Sequence, residues 1–434
     1  MWKKGSALLL AGTLVLTGCA GEASLVRDAI VTTIEKPNYD YEGTVKLTGD
    51  LDKLPELMGE PTDAQGLALL EALKAGVTVK GSQLDLENVQ AIFEVNDDKL
   101  LRDNNLWTGD DKAAVELILN GDNMFAKSPL DSKYLMISAS PTDLAALGGS
   151  EQVDAAKLKE YQDKINELTI EFVKNYVSKY GYKLNNVENL GAATVELPNG
   201  ETAETTHIAI KLDAKELVNM FFYTANDAVA NEEVKAFAID LMVLSASLQE
   251  ELFPEEGRTT DAEKRALAEE TVALGLESAK AWLAEVGPVY TPDKIVEEMK
   301  AAGLHAIDWN VEFYVTEDKL PVKQVSELSV TFQNEAMEAP ITLGLYADQF
   351  AYNFDNATKY EIPTADAGVT LEQLYEDEAA INGFSDKGFF RTFVQSMVDD
   401  YKMQKEWELE WEKELEALEA AEAEEVAETV EVTQ

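Results

Sequence analysis

The residues able to do chemistry are few and scattered. A 434-residue chain holds one cysteine, Cys19, and two histidines, His207 and His305, against 82 Asp and Glu. His207 sits in the run HIAIKL, where Ile208, Ile210 and Leu212 take the opposite face of a strand, so its imidazole belongs on the polar side. His305 follows Gly303 and Leu304 in a helix-to-strand connection. Neither has ligand spacing around it, so no metal site is expected. No G-x-S-x-G, S-x-x-K, phosphate-binding loop or dinucleotide fingerprint occurs. The acidic pairs Asp97-Asp98 and Asp110-Asp111 lack the spacing of an EF-hand loop and read as solvated turns. A glycosidase would need two particular carboxylates, and nothing singles out two among so many. The expectation is a non-enzyme, with no catalytic, cofactor-binding or metal-ligating residues.

Cys19 differs because of what precedes it. Lys3 and Lys4 form a positive end, and Ala7 to Leu16 is an apolar run interrupted by Gly12 and Thr13. Its length of about ten residues suits a secretory h-region, whereas a membrane-spanning helix needs about 20. The run ends in Leu16-Thr17-Gly18-Cys19, which resembles the lipobox of bacterial lipoproteins. The resemblance implies a diacylglycerol on the Cys19 thiol and a peptidase cut just before it, where Thr17 and Gly18 supply the small residues required. The thiol is then a lipid attachment point, and one cysteine cannot make an internal disulfide in any case. Two acyl chains hold a protein on a membrane more firmly than one. The expected partner is therefore a cell membrane, met through the N-terminal lipid on the extracytoplasmic face. Ala20 and Gly21 show no obvious inner-membrane retention signal, which favours a Gram-positive host.

The elements that follow belong to a large folded body. At 46% hydrophobic and 27% charged the chain can bury a substantial core. Its 36 Lys and Arg leave a net charge of −46, which repels nucleic acid and anionic head groups, so no nucleic-acid partner is expected. Leu25 to Ile34 reads as a short helical or irregular segment. YDYEGTVKLTG (39–49) alternates as a half-buried antiparallel strand, and VTVKG (77–81), VQAIFEVND (89–97) and KYLMIS (133–138) continue the pattern. Asn120-Gly121 and Asn199-Gly200 each lie between alternating runs and predict hairpins. Capping boxes at Thr62, Thr260 and Thr370 open helices, and Pro292 begins another. Longer helical patterns cover 151–180, 214–252 and 261–286; strands return at 308–316, 322–333, 340–347 and 349–355. VKAFAIDLMVLSASLQEELF (234–253) is apolar on most faces, as suits a helix sandwiched between a sheet and other helices, or a lid over a lipid-sized cavity.

The octapeptides FEVNDDKL (93–100) and FYVTEDKL (313–320) share Phe-x-Val-x-acid-Asp-Lys-Leu, each reading as a strand, an acidic turn and a second strand beginning at Leu. A duplication of two sheet halves is one explanation; convergent turn composition is the other. The final helix begins near Ser385. Phe390, Phe393, Val394, Met397 and Tyr401 make its first half amphipathic and fit to dock, whereas beyond Ala420 glutamates dominate and should fray it.

These elements predict an α+β fold: a curved antiparallel sheet, an incomplete barrel, packed on amphipathic helices with a long C-terminal helix. The hairpin DWNVEFYVTEDKLPVKQVSELSVTF (308–332) resembles the lipoprotein-carrier superfamily, the LolA, LolB and LppX-type proteins of cell envelopes. That resemblance implies an apolar ligand in the concave side of the sheet and transfers no catalytic residue. The expected divisions are 1–18, signal peptide; 19–36, lipidated tether; 37–403, body, with halves 37–200 and 201–384 and a docked helix 385–403; and 404–434, an acidic helical tail. A lipid-binding lipoprotein is the first reading. A structural or interaction lipoprotein with a filled core and an unidentified protein partner is the alternative. Cys19→Ser should shift the protein from the membrane fraction to the medium or leave an uncleaved precursor, and normal processing with unchanged membrane partition would refute the lipobox.

Overall fold

A computed structural model describes residues 24–54, 57, 64–121, 123–138, 155–252, 258–333 and 337–431. Its centre is one open, curved, twelve-stranded sheet. The first half of the chain lays down β1 (Tyr39–Gly49), β2 (Val77–Gln83), β3 (Asn88–Val95), β4 (Ala114–Asn120), β5 (Asn123–Lys127) and β6 (Tyr134–Ser138) as a meander. The second lays down β7 (Val187–Glu196), β8 (Thr202–Asp213), β9 (Leu304–Val315), β10 (Pro321–Phe332) and β11 (Ile341–Tyr352) as another. The two meet where β1 pairs antiparallel with β11, from Asp40 opposite Tyr352 to Gly49 opposite Leu343. A two-residue strand, β12 (Gly368–Val369), adds in parallel to β6. The boundary expected at residue 200 falls on the β7–β8 turn, while the sheet changes from one meander to the other at the β1–β11 ladder.

The predicted hairpins form at Asn120-Gly121 and Asn199-Gly200. Strands expected at 340–347 and 349–355 are one strand, β11. The residue between the two ranges, Asp348, sits inside it and accepts a 2.8 Å hydrogen bond from the Thr44 amide of β1. Gly43 is required beside it: a Cβ there would lie 2.1 Å from the Asp348 carbonyl oxygen. The two octapeptides end β3 and β9, each the third strand from the β1–β11 ladder. After the turn they diverge. Leu320 leads into β10, whereas Leu100 lies in a helix, α3 below, rather than the strand expected.

Helices α1 (Ser24–Glu35), α2 (Ala64–Ala75), α3 (Lys99–Asp103) and α4 (Ala155–Lys179) are followed by an insertion between β8 and β9. That insertion holds α5 (Ala214–Ala228), α6 (Glu232–Leu252), α7 (Asp261–Val286) and α8 (Pro292–Ala301). The helix expected over 214–252 is two, because the Asn231 side chain accepts the Glu233 amide and restarts it as α6. The predicted capping boxes at Thr260 and Thr370 are made, Pro292 opens its helix as expected with Thr291 as its cap, and the Thr62 box lies outside the described residues. α6 does lie between other elements, but they are α4 and α7 rather than the sheet; Phe237 stacks on Phe172 of α4 at 4.3 Å.

The segment expected as a tether is partly core. Val26 and Ala29 of α1 are wholly buried, with Ile30 and Ile34, against Ile208, Ile210, Val311 and Phe313. At the opposite end of the same face, α9 (Leu371–Glu376) and α10 (Phe389–Glu431) cover Ala126 and Leu135. α10 docks through Phe390, Val394 and Val398. Phe393, expected on that line, is 53% exposed, one position off the contact stripe. Past the body, Trp407 and Trp411 stack on each other and stay largely exposed. A chain ending at Glu419 should therefore melt within a few degrees of the untruncated chain, and one ending at Asp386 should aggregate. Phe390→Ala alone should cost about 3–5 kcal/mol in a denaturant titration. Equal melting of the two truncations would show that α10 is not docked.

Candidate functional site

Register assigns every strand residue to one of two faces. Val95, Val77, Val45, Ala347, Ser326 and Val311 are successive cross-strand partners and share the helix-bearing face. The next row holds Leu47, Leu345, Leu328 and Trp309, and the one after it Leu343, Val330 and Ile307. α1 covers this face over β8 and β9 and reaches β10, and α9 with α10 covers it over β5 and β6. Between those covers, Val45, Leu47, Val77, Val79, Leu328, Val330 and Leu343 are only half-buried, and Leu345 is 41% exposed. The result is an aliphatic band crossing β2, β1, β11 and β10. Its polar members are few: Ser326 accepts from the Trp309 indole at 2.8 Å, and Gln324 and Gln349 pair across the strands. α2 packs on β1 and β3, burying Ala68 and Ala72 and exposing Leu67, Leu69 and Leu73. Alternation made the individual strands legible, but not which of their apolar faces would stay open.

Two open clefts of mixed lining lie elsewhere among the described residues. One of about 450 Å³ runs along the start of α10, lined by Asp386, Arg391, Gln395 and Asp399. The other, about 300 Å³, lies on the opposite sheet face among Lys211, Asn310, Glu312 and Glu327.

On that opposite face stands His207, as its strand alternation required. It pairs across strands with Tyr314, the rings stacked at 4.2 Å, and its Nε2 lies 2.9 Å from a Glu312 carboxylate oxygen. The Tyr314 hydroxyl donates to the same oxygen at 3.2 Å; burial, then the Glu312 charge, raises its pKa. Lys323 lies over the rings of both Tyr314 and Phe350. This group braces β8, β9 and β10 side by side. Sequence reading found the histidine but not its partners, which lie more than a hundred residues away. His305 is exposed at the start of β9 and is not near His207 in the ladder.

The acidic turns are structural. Asp97 accepts the Lys99 amide, and Asp98 pairs with Arg102 at 2.8 Å; that hydrogen bond holds the Asp98 carboxyl below its ordinary value. The Asp111 carbonyl accepts from the buried Trp107 indole at 2.7 Å. Among the described residues no cluster of His, Cys, Asp and Glu has the arrangement to hold a metal ion. Cys19 lies outside the described residues.

One carboxylate was not singled out by sequence. Asp40, 4% exposed, accepts from Ser82 Oγ at 2.6 Å, Asn353 Nδ2 at 2.7 Å, and the Thr358 amide and hydroxyl at 2.8 and 2.7 Å. It pins β1 to β2 and to the segment after β11. Compared with known proteins, the chain matches no family model, no curated protein and no solved structure.

Burial works to raise the Asp40 pKa, but the four hydrogen bonds together outweigh it and hold the carboxyl below its ordinary value. A depressed folded value means that this stabilisation is complete above the unfolded pKa, about 3.9, and is lost as pH falls through the folded one. Asp40→Asn replaces an acceptor oxygen with a donor facing donors. It should cost about 1–3 kcal/mol at neutral pH. The deficit should shrink as the pH is taken down through the folded pKa, where the wild-type carboxyl also protonates. A deficit in the urea midpoint that stays constant through that acid range would show that the Asp40 charge plays no part.

Proposed function

We propose that this protein is an extracytoplasmic lipoprotein, anchored by a diacylglycerol on Cys19, that binds an acyl chain or similar apolar ligand on the helix-bearing face of its sheet. The observation that carries the ligand half of this reading is the aliphatic band between the two helical covers, with Leu345 41% exposed at its middle. Exposed apolar area is unfavourable by about 25 cal/mol per Å², so a contiguous strip of it favours a bound apolar surface. The anchor half rests on the Leu16-Thr17-Gly18-Cys19 run and the apolar segment before it. No helix among the described residues is long and apolar enough to cross a membrane. The His207 group and the acidic turns have structural duties, and no catalytic role is assigned to them.

The alternative is a structural or interaction lipoprotein without a small ligand. What favours it is that these two clefts are open and mixed in lining, rather than enclosed and apolar as acyl sites usually are. Organic extraction and mass spectrometry of natively purified protein separates the readings. Under the proposal, a stoichiometric lipid or other apolar molecule comes out of the wild type. Leu345→Glu, which puts a charge at the exposed centre of the band, should lose it with a melting temperature changed by only a few degrees. Extraction of nothing apolar from the wild type would leave the interaction reading in place.

A further inference from the structure

We infer that the folded body rides against the head groups of the membrane that holds it, an inference that rests on the lipid-anchor reading of Cys19. The reason is the position of α1. A lipoprotein commonly needs a stretch of free chain to stand clear of its membrane, and residues 19–36 have the place of such a stretch. Yet α1 begins at Ser24, and its apolar side is built into the core: Val26 and Ala29 are wholly buried and Ile30 and Ile34 nearly so. α1 is also tied from outside the core, since Asp28 accepts a 2.8 Å hydrogen bond from Lys319 in the β9–β10 turn. Only Ala20, Gly21, Glu22 and Ala23 remain between the anchored cysteine and the helix.

The reach follows from covalent geometry. Five residue steps from Cys19 to Ser24, fully extended, span about 18 Å. That distance is little more than two Debye lengths at physiological ionic strength, about 8 Å each. The acidic body, net −46 over the whole chain, is repelled by anionic head groups, but the repulsion cannot carry it beyond the tether. Releasing α1 to lengthen the tether would expose the buried side chains just named and uncover β8 and β9. The fold and the motif together make the anchor short and the approach close.

The chain offers a direct test because Cys19 is its only cysteine and its thiol would carry the lipid. Glu317→Cys, in the exposed β9–β10 turn two residues from Lys319, then provides the single free thiol for a donor dye. The lipidated full-length protein is reconstituted into phosphatidylcholine–phosphatidylglycerol vesicles containing a rhodamine-labelled lipid. A second version carries a Gly/Ser linker of about 30 residues between Gly21 and Glu22, with a root-mean-square span of roughly 30 Å. Flotation of both with the vesicles is measured first. Energy transfer should be at least twofold lower in the linker version, and the α1 amides, Val26 to Ile34, should stay protected from hydrogen exchange on the vesicles. Equal transfer from two floating proteins would overturn the close approach and leave the anchor intact. Rapid exchange of the α1 amides in the vesicle-bound native protein would overturn it too, because the helix would then be serving as tether. If neither version floats, the anchor reading itself fails, and this inference with it.

Discussion

The antiparallel ladder between β1 and β11 joins residues about three hundred positions apart and makes one sheet of two meanders. Each meander alone would present a bare edge strand at the centre of the molecule, with a row of unpaired backbone groups. The ladder is fastened at three places by aspartates that accept backbone donors across it or beside it. Asp50 takes the Thr342 amide at 3.0 Å at one end, and its own amide donates to the Thr342 carbonyl at 2.7 Å. Asp348 takes the Thr44 amide midway, where Gly43 leaves room for the close approach. Asp40 at the other end gathers four donors. A pairing of such long sequence separation carries a loop-closure cost that short-range contacts do not carry. Local side-chain bonds that hold the strands once they meet are a suitable remedy.

The same economy explains how so acidic a chain stays folded. The carboxylates with structural duties are satisfied largely by amides and hydroxyls, not by the scarce cations. Glu216, 4% exposed at the start of α5, accepts from the Asn185 amide and side chain and from Tyr182. Asp131 accepts from Ser128 and from the Ser385 amide, tying the β5–β6 turn to the approach to α10. Most ion pairs, by contrast, are exposed and contribute little each. The remaining acids are free to serve solubility.

Strands were legible wherever one face is buried, because alternation has period two there and glycine turns punctuate it. β1 matches the run 39–49 read from sequence, and the capping boxes at Thr260 and Thr370 locate their helices. Illegible features depend on distant partners. The two ranges 340–347 and 349–355 left Asp348 out between them, and its place inside β11 rests on the Thr44 amide of a strand about three hundred residues away. α1 looked like a tether because a twelve-residue helix is marginal alone, and only contact with β8 and β9 gives it a core role. Phe393 could not be separated from Phe390 by spacing alone, since three-residue neighbours share a helix face. The Leu16-Thr17-Gly18-Cys19 run is wholly local, so its resemblance needs no distant partner to be noticed; the aliphatic band, which needs β2, β1, β11 and β10 side by side, could not be read.

The width of the sheet accounts for that band. Strands sit about 4.8 Å apart, so the five steps from β4 to β10 span roughly 24 Å. A helix with its side chains is about 10–12 Å across. α1 covers one flank and α10 the other, each held by its own cluster of buried residues. Neither can slide inward without abandoning the strands it seals, and α2, which packs on β1 and β3, covers only part of the strip between them. Among the described residues the band is thus the geometric remainder of a sheet wider than its helical cover. A narrower sheet would have closed over its own core, while a more polar strip would have been at ease in water. Joining two meanders into one sheet gives both the width and an aliphatic centre, so the ladder that organises the fold also creates the surface proposed to take an apolar ligand.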